Sequence, residues 1–307
     1  MLEAFLAVTG KVAVILIFIV VGYATVKLGV FSQKGLGEIT SLLLYVVTPC
    51  LIVTSFLSAE SGSLDAWSMF LAFALPAASM FMSIAGSYLF FRKEEPNRRK
   101  VLRFALIFCN VGFMGVPLVQ GIVGTEGVLY SSFFIVVFNV ISWTYGYTMM
   151  GGGKIRLKTL LLNPGVIGLV IGLPLYFLDV QLPEIIASPV EMMSAVNTPL
   201  AMIVVGGYIA RVKWKEFISD IAVYKMAFLR LLVAPALYLA LALLVRPNDA
   251  LLLSSVIQAA TPVAANTVLF AVQFKNDAEL ASKSIAVTTA LSVITIPLFT
   301  ILTQVLM

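Results

Sequence analysis

Ten stretches of about 20 predominantly apolar residues follow one another along this chain, and the connections between them are too short to hold a domain. That succession constrains the fold more than any motif does. A helix needs about 20 residues to cross the hydrocarbon of a bilayer, and only structures that satisfy their own backbone N–H and C=O groups can span it. The stretches lie at 11–30, 37–57, 66–91, 101–122, 127–149, 163–179, 187–210, 220–245, 250–274 and 280–306. Each is about twice the length of a barrel strand and lacks the alternating polarity that a transmembrane β-barrel requires. The chain therefore reads as an all-α polytopic membrane protein with ten transmembrane helices. Of its 307 residues, 61% are hydrophobic and only 11% are charged, against roughly 25% charged in soluble domains. A soluble enzyme, a nucleic-acid binder and a disordered chain are excluded. The first stretch is too long for a signal-peptide core and no small-residue cleavage pattern follows it, so it is read as the first span.

Positive residues set the orientation, because cytoplasmic connections carry an excess of Lys and Arg. The connections after odd-numbered spans hold Lys27 and Lys34, six residues between Arg92 and Arg103, then Lys154, Arg156 and Lys158, five residues between Arg211 and Arg230, and Lys275 and Lys283. Of the 20 Lys and Arg, only Lys11 and Arg246 fall on the other side. Odd connections are expected in the cytoplasm and both termini outside, in the cytoplasmic (inner) membrane.

The two halves resemble each other. Gly22, Leu28 and Val30 match Gly172, Leu178 and Val180; Thr48-Pro49 matches Thr198-Pro199; Pro76 matches Pro235; Glu126 with Val140-Ile141 matches Glu279 with Val293-Ile294. The order is kept while the offset drifts by a few residues. An odd number of spans per half turns the second copy over, giving an inverted repeat about an axis in the membrane plane, as in many secondary transporters. Residues 1–150 form the first five-helix repeat, 151–162 a cytoplasmic linker containing Gly151-Gly152-Gly153, and 163–307 the second repeat.

Spans four and nine are the least regular. Proline lacks an N–H and clashes with the carbonyl four residues earlier, so Pro117 frees the carbonyl of Phe113 and Pro262 that of Gln258. Gly112 and Gly115 weaken span four further. Freed backbone in lipid is costly unless it is buried in protein or lines a wet cavity. Asn110 and Pro117, seven apart, are expected to share a helix face, as are Gln258, Pro262 and Asn266 at spacings of four and four. Thr261 lies in the same segment. Half-helix starts carry partial positive charge, and with the amides they can hold a carboxylate without a buried cation. Asn139, in mid-span five, is a further candidate for this cavity. The competing reading is structural: Pro and Gly kink many membrane helices, and Asn and Gln glue helices together. Thr48-Pro49, Thr198-Pro199, Pro76, Pro235 and Pro297 are read as kinks.

No Asp, Glu, Lys or Arg is placed at the middle of a span; Asp65, Glu126, Glu191, Lys225 and Arg230 fall near span ends. An intramembrane proton relay and the paired carboxylates or His–nucleophile pair of a membrane hydrolase are thus unsupported. The chain has no histidine, and Cys50 and Cys109 lie in apolar runs without metal or disulfide spacing. No metal site and no cofactor are expected.

On Asn110-x-Gly-x-x-Gly-x-Pro117, Thr261-Pro262-x-x-x-Asn266 and Asn163-Pro164, together with ten spans and outside termini, the chain resembles the auxin efflux carrier family. That family includes the plant auxin exporters and bacterial carriers assigned to malonate or malate. The resemblance covers the whole chain. It implies a fold like that of bile-acid sodium symporters, with helices 1, 2, 6 and 7 as a commonly dimeric scaffold. Helices 3–5 and 8–10 would form a transport domain in which broken helices 4 and 9 cross and an elevator-like movement carries an organic anion. By position, Asn110, Pro117, Pro262 and Asn266 would be the site residues. The long central loop of the plant exporters is missing here. Sodium coupling of the bile-acid type and a receptor without turnover stay open as alternatives.

Overall fold

The computed structural model describes residues 2–59, 64–151, 162–210 and 220–307. Most of the 151–162 linker, with Lys154, Arg156 and Lys158, lies outside the described residues, as do Arg211, Lys213 and Lys215. The described chain is helical and contains no strand. Twelve helices follow in order: α1 Leu2–Lys27, α2 Lys34–Leu57, α3 Ala66–Phe90, α4 Pro96–Ile107, α5 Val111–Ile122, α6 Thr125–Met150, α7 Pro164–Phe177, α8 Glu184–Gly207, α9 Ile221–Val245, α10 Asp249–Ala259, α11 Asn266–Gln273 and α12 Ala278–Leu306. Six of them, α2, α3, α6, α8, α9 and α12, are long and apolar enough to cross a membrane. Their outward residues are apolar too: Ile185, Ile221 and Leu244 are more than four-fifths exposed. Exposed Leu and Ile on this scale fit an integral membrane protein, whose exterior is solvated by lipid.

Three prolines follow one local rule. Pro49, Pro117 and Pro235 each sit two residues past a five-residue wide turn, Leu43–Val47, Val111–Gly115 and Leu229–Val233. A wide turn takes hydrogen bonds from one residue further along the chain, which removes the clash between the proline ring and the carbonyl four residues back. Pro76 and Pro297 lie inside continuous helices, α3 and α12.

Packing is closest at glycines. A Cβ on Gly22 of α1 would lie 2.6 Å from the backbone carbonyl carbon of Ile203, and one on Gly206 of α8 would lie 2.8 Å from the backbone of Ile19. In the same way Gly168 and Gly172 of α7 receive Ile52 and Phe56 of α2. Several buried hydroxyls return to their own helix, as Ser55 does to the Ile52 carbonyl and Thr303 to that of Phe299, which pairs them within the core; those of Thr54, Ser131, Ser142 and Ser284 have no partner among the described residues.

The connections gather at two ends. Arg98, at the start of α4, pairs with Asp220 at 2.5 Å and Asp277 at 3.4 Å, and Asn276 donates to the Met150 carbonyl at 2.7 Å. At the far end of α3, about 30 Å away at 1.5 Å per residue, Ser68 and Tyr130 meet the Asn248 amide, and the Leu64 N–H donates to Tyr176.

Candidate functional site

The fourth and ninth apolar stretches are interrupted and joined to each other. After Ile107 and after Ala259 the chain leaves the helix and runs extended, with Cys109 opposite Val263 in an isolated antiparallel bridge. The Asn110 N–H donates to the Pro262 carbonyl at 2.8 Å, and the Ala264 N–H to the Phe108 carbonyl at 2.9 Å. Thr288 of α12 accepts from the Val263 N–H at 3.2 Å, and the Thr261 hydroxyl donates to the Gln258 carbonyl at 2.7 Å. Groups that each break frees are thus paired by the other break, as buried backbone requires.

A cavity of about 380 Å³ opens beside this crossing. Its wall takes Asn110, Val111 and Gly112 from one broken segment, Ala264, Ala265 and Asn266 from the other, and Asn139, Trp143 and Asn163 from neighbouring helices. The volume suits a small organic molecule. Asn139 and Asn163 are joined, the Asn163 amide donating to the Asn139 carbonyl oxygen at 3.1 Å. The carboxamides of Asn110 and Asn266 are engaged by no other described residue.

Both α5 and α11 start at this cavity without a side-chain cap. Ser32, Asp65, Asn163, Asp220, Asn248 and Asp277 each accept from a first-turn N–H and cap a helix, whereas α4, α6 and α8 also start without a side-chain cap. Each helix start carries about half a positive charge, and both face this mostly apolar pocket.

The sequence-stated candidates divide into two sets. Asn110, Gly112, Asn139 and Asn266 line the cavity. Gly115, Pro117, Gln258, Thr261 and Pro262 do not. Gly115 is small because the buried Gln258 carboxamide lies against it, in the space a Cβ would take. The Pro117 carbonyl accepts from the Thr198 hydroxyl at 3.0 Å, and Thr198 also meets the Gln120 carboxamide at 2.8 Å. Pro262 contributes its backbone carbonyl to the crossing. The expected shared faces do not form, because the chain is not helical at 108–110 or 260–265 and the helical period does not run through either break. Span four breaks at Phe108–Asn110, ahead of Pro117, which the wide turn absorbs. Asn163, Trp143 and Thr48 were missed as wall residues; the Asn163-Pro164 helix start and the Thr48-Pro49 pair were their signals.

A larger correction concerns Arg230. It is not at a span end: it sits inside α9, is 3% exposed, and donates to the carbonyls of Leu106, at 3.2 Å, and Ala259. These are open C-terminal carbonyls of α4 and α10. The orientation bias survives without it.

The model of the membrane transport protein family matches residues 7–159 and 153–300. An "Uncharacterized transporter" of Methanothermobacter thermautotrophicus is 24% identical over 304 residues, covering 97% of this chain and 99% of that protein. An "Uncharacterized transporter" of Methanocaldococcus jannaschii is 24% identical over 302 residues, covering 94% and 96%. A "Putative malonate transporter" of Rhizobium meliloti is 23% identical over 301 residues, covering 94% and 93%. With the family model matched along nearly its whole length, the chain belongs to the membrane transport protein family, that of the auxin efflux carriers.

Proposed function

We propose that this protein is a secondary carrier of small organic anions, mono- or dicarboxylates, across the cytoplasmic membrane. One observation carries the reading: two uncapped helix starts and the free amides of Asn110 and Asn266 meet on one cavity. Two half-charges of about +0.5 each suit one carboxylate, and the amides supply directed donors. The name of the Rhizobium relative, 23% identical, points to a carboxylate as well.

In this reading the chain is two inverted five-helix repeats, 1–150 and 163–307, with α4–α5 and α10–α11 as the fourth and ninth spans and both termini outside. An inverted repeat maps α1 onto α7 and α2 onto α8. The principal packing of α1 on α8 then corresponds to that of α7 on α2, and these are the two most extensive helix pairs. The clustering of odd connections around Arg98 and of even ones around Asn248 fits the same topology. Helices α1, α2, α7 and α8 serve as scaffold, and the remainder moves past them in an elevator-like alternation that carries the crossing and its cargo.

A second reading, sodium symport, has one observation in its favour: both polar atoms of the buried Gln258 carboxamide lack a partner. Uptake of radiolabelled malonate, malate and an aromatic monocarboxylate into proteoliposomes, under separately imposed voltage, pH and sodium gradients, decides between them. Flux of a carboxylate under voltage or pH alone is expected. Flux that requires sodium selects the second reading, and no carboxylate flux from folded protein contradicts both.

A further inference from the structure

Arg230 is a buried cation without an acidic partner. It forms no ion pair among the described residues, and the Nη groups of its guanidinium reach only the Leu106 and Ala259 carbonyls. An uncompensated charge in such a place is costly. What compensates it is the backbone itself. The last carbonyls of a helix have no intrahelical partner, and each helix end carries about half a negative charge. Two ends, α4 and α10, supply about one negative unit to one guanidinium. Half-helix C-termini of this kind are the groups that coordinate small coupling cations in broken-helix transporters.

The two broken segments therefore have four helix ends near one crossing, with their charges sorted. The negative ends are closed by Arg230, and the positive ends are left uncapped at the cavity. We propose that Arg230 is a resident cation that fixes the sign of the site: it neutralises both helix C-termini, leaves the cavity net positive, and occupies the position where a monovalent metal ion would otherwise bind. It is a positioning residue, outside the cavity wall, and it selects anions through the crossing. This inference rests on the carrier reading for its cargo, but not for its cation chemistry. Its consequence is an anion carrier that works without sodium.

The test uses the full-length protein. In proteoliposomes with radiolabelled malonate, Arg230→Lys should keep KM within about threefold of wild type. Arg230→Met, of similar bulk but uncharged, should raise it about tenfold or more, since a fixed charge in a dry site is weakly screened. Thermal unfolding in detergent gives an independent readout: wild type should melt at the same temperature in sodium and choline chloride, whereas Arg230→Ala should be stabilised by added sodium or millimolar guanidinium. An unchanged malonate KM in Arg230→Met overturns the proposal. So does stabilisation of wild type by sodium, a result that needs no variant to fold. If wild type carries no carboxylate at all, the carrier reading fails, while the melting comparison still judges the role of Arg230.

Discussion

The Asn110 N–H donates to the Pro262 carbonyl at 2.8 Å, joining residues 152 positions apart in the sequence. With the reciprocal bond from Ala264 to Phe108, it makes the backbone of each broken helix a part of the other's structure. Neither half then holds a complete core. Expressed alone, residues 1–151 would leave these groups unpaired, at about 1–3 kcal/mol each. We expect the isolated half to aggregate or be degraded, and co-expression with 162–307 to restore a monodisperse peak in size-exclusion chromatography. A monodisperse first half on its own would contradict this.

Gly206 meets the backbone of Ile19 where α1 and α8 cross. Backbone cannot move aside as a flexible side chain can, so Gly206→Ala should force the helices apart and cost about 1–3 kcal/mol. A lowered melting temperature in detergent checks it; Gly37→Ala, where a Cβ meets nothing within 4 Å, is the control and should melt like wild type.

Thr198 of α8 binds the Pro117 carbonyl of α5, which in our account links scaffold to moving domain. The bond can exist in only one position of an elevator. Thr198→Val removes about 1 kcal/mol from that position and should shift the population about fivefold. Alkylation of a cysteine introduced at Thr48, in the cavity wall, should change its rate by a similar factor. An unchanged rate would mean that the contact does not distinguish the states.

Asp220 ties α9 to α4 through Arg98. Burial pushes its carboxyl up, but the Arg98 hydrogen bond and the Ala222 N–H outweigh this and hold it below its ordinary 3.8. A depressed carboxylate contributes stability that is complete above its unfolded pKa and is lost as pH falls through the folded value. The pair should therefore hold across neutral pH and weaken only below about pH 3.8. It is partly exposed, so the contribution is at most about 1 kcal/mol. Asp220→Asn should melt slightly lower than wild type at pH 7, and the gap should close in acid. A gap that widens in acid would reverse the assignment.

How much of this was legible depended on the physics each residue obeys. Asn110 and Asn266 announced themselves because a free amide in an apolar stretch needs a reason. Pro262 correctly marked a break. Pro117 did not, because a wide turn can absorb a proline, and that adjustment has no sequence signature of its own. Gln258 and Asn266 were grouped by helical spacing, which fails wherever the helix stops. Arg230 was hidden for a different reason: a basic residue ten positions into an apolar stretch reads as flanking charge, and its partners are main-chain carbonyls that no sequence pattern records. Thr198 looked like one more kink until Pro117 lay beside it.

The central claim is that a carboxylate is carried at the crossing of the two broken helices. The most direct measurement is malonate uptake into proteoliposomes by wild type, Asn110→Ala and Asn266→Ala, reconstituted to equal density and checked for equal melting temperature. The account predicts uptake by wild type and a loss of about tenfold or more in each variant, as removal of a directed donor from an anion site implies. Uptake at the wild-type rate in both variants would contradict it.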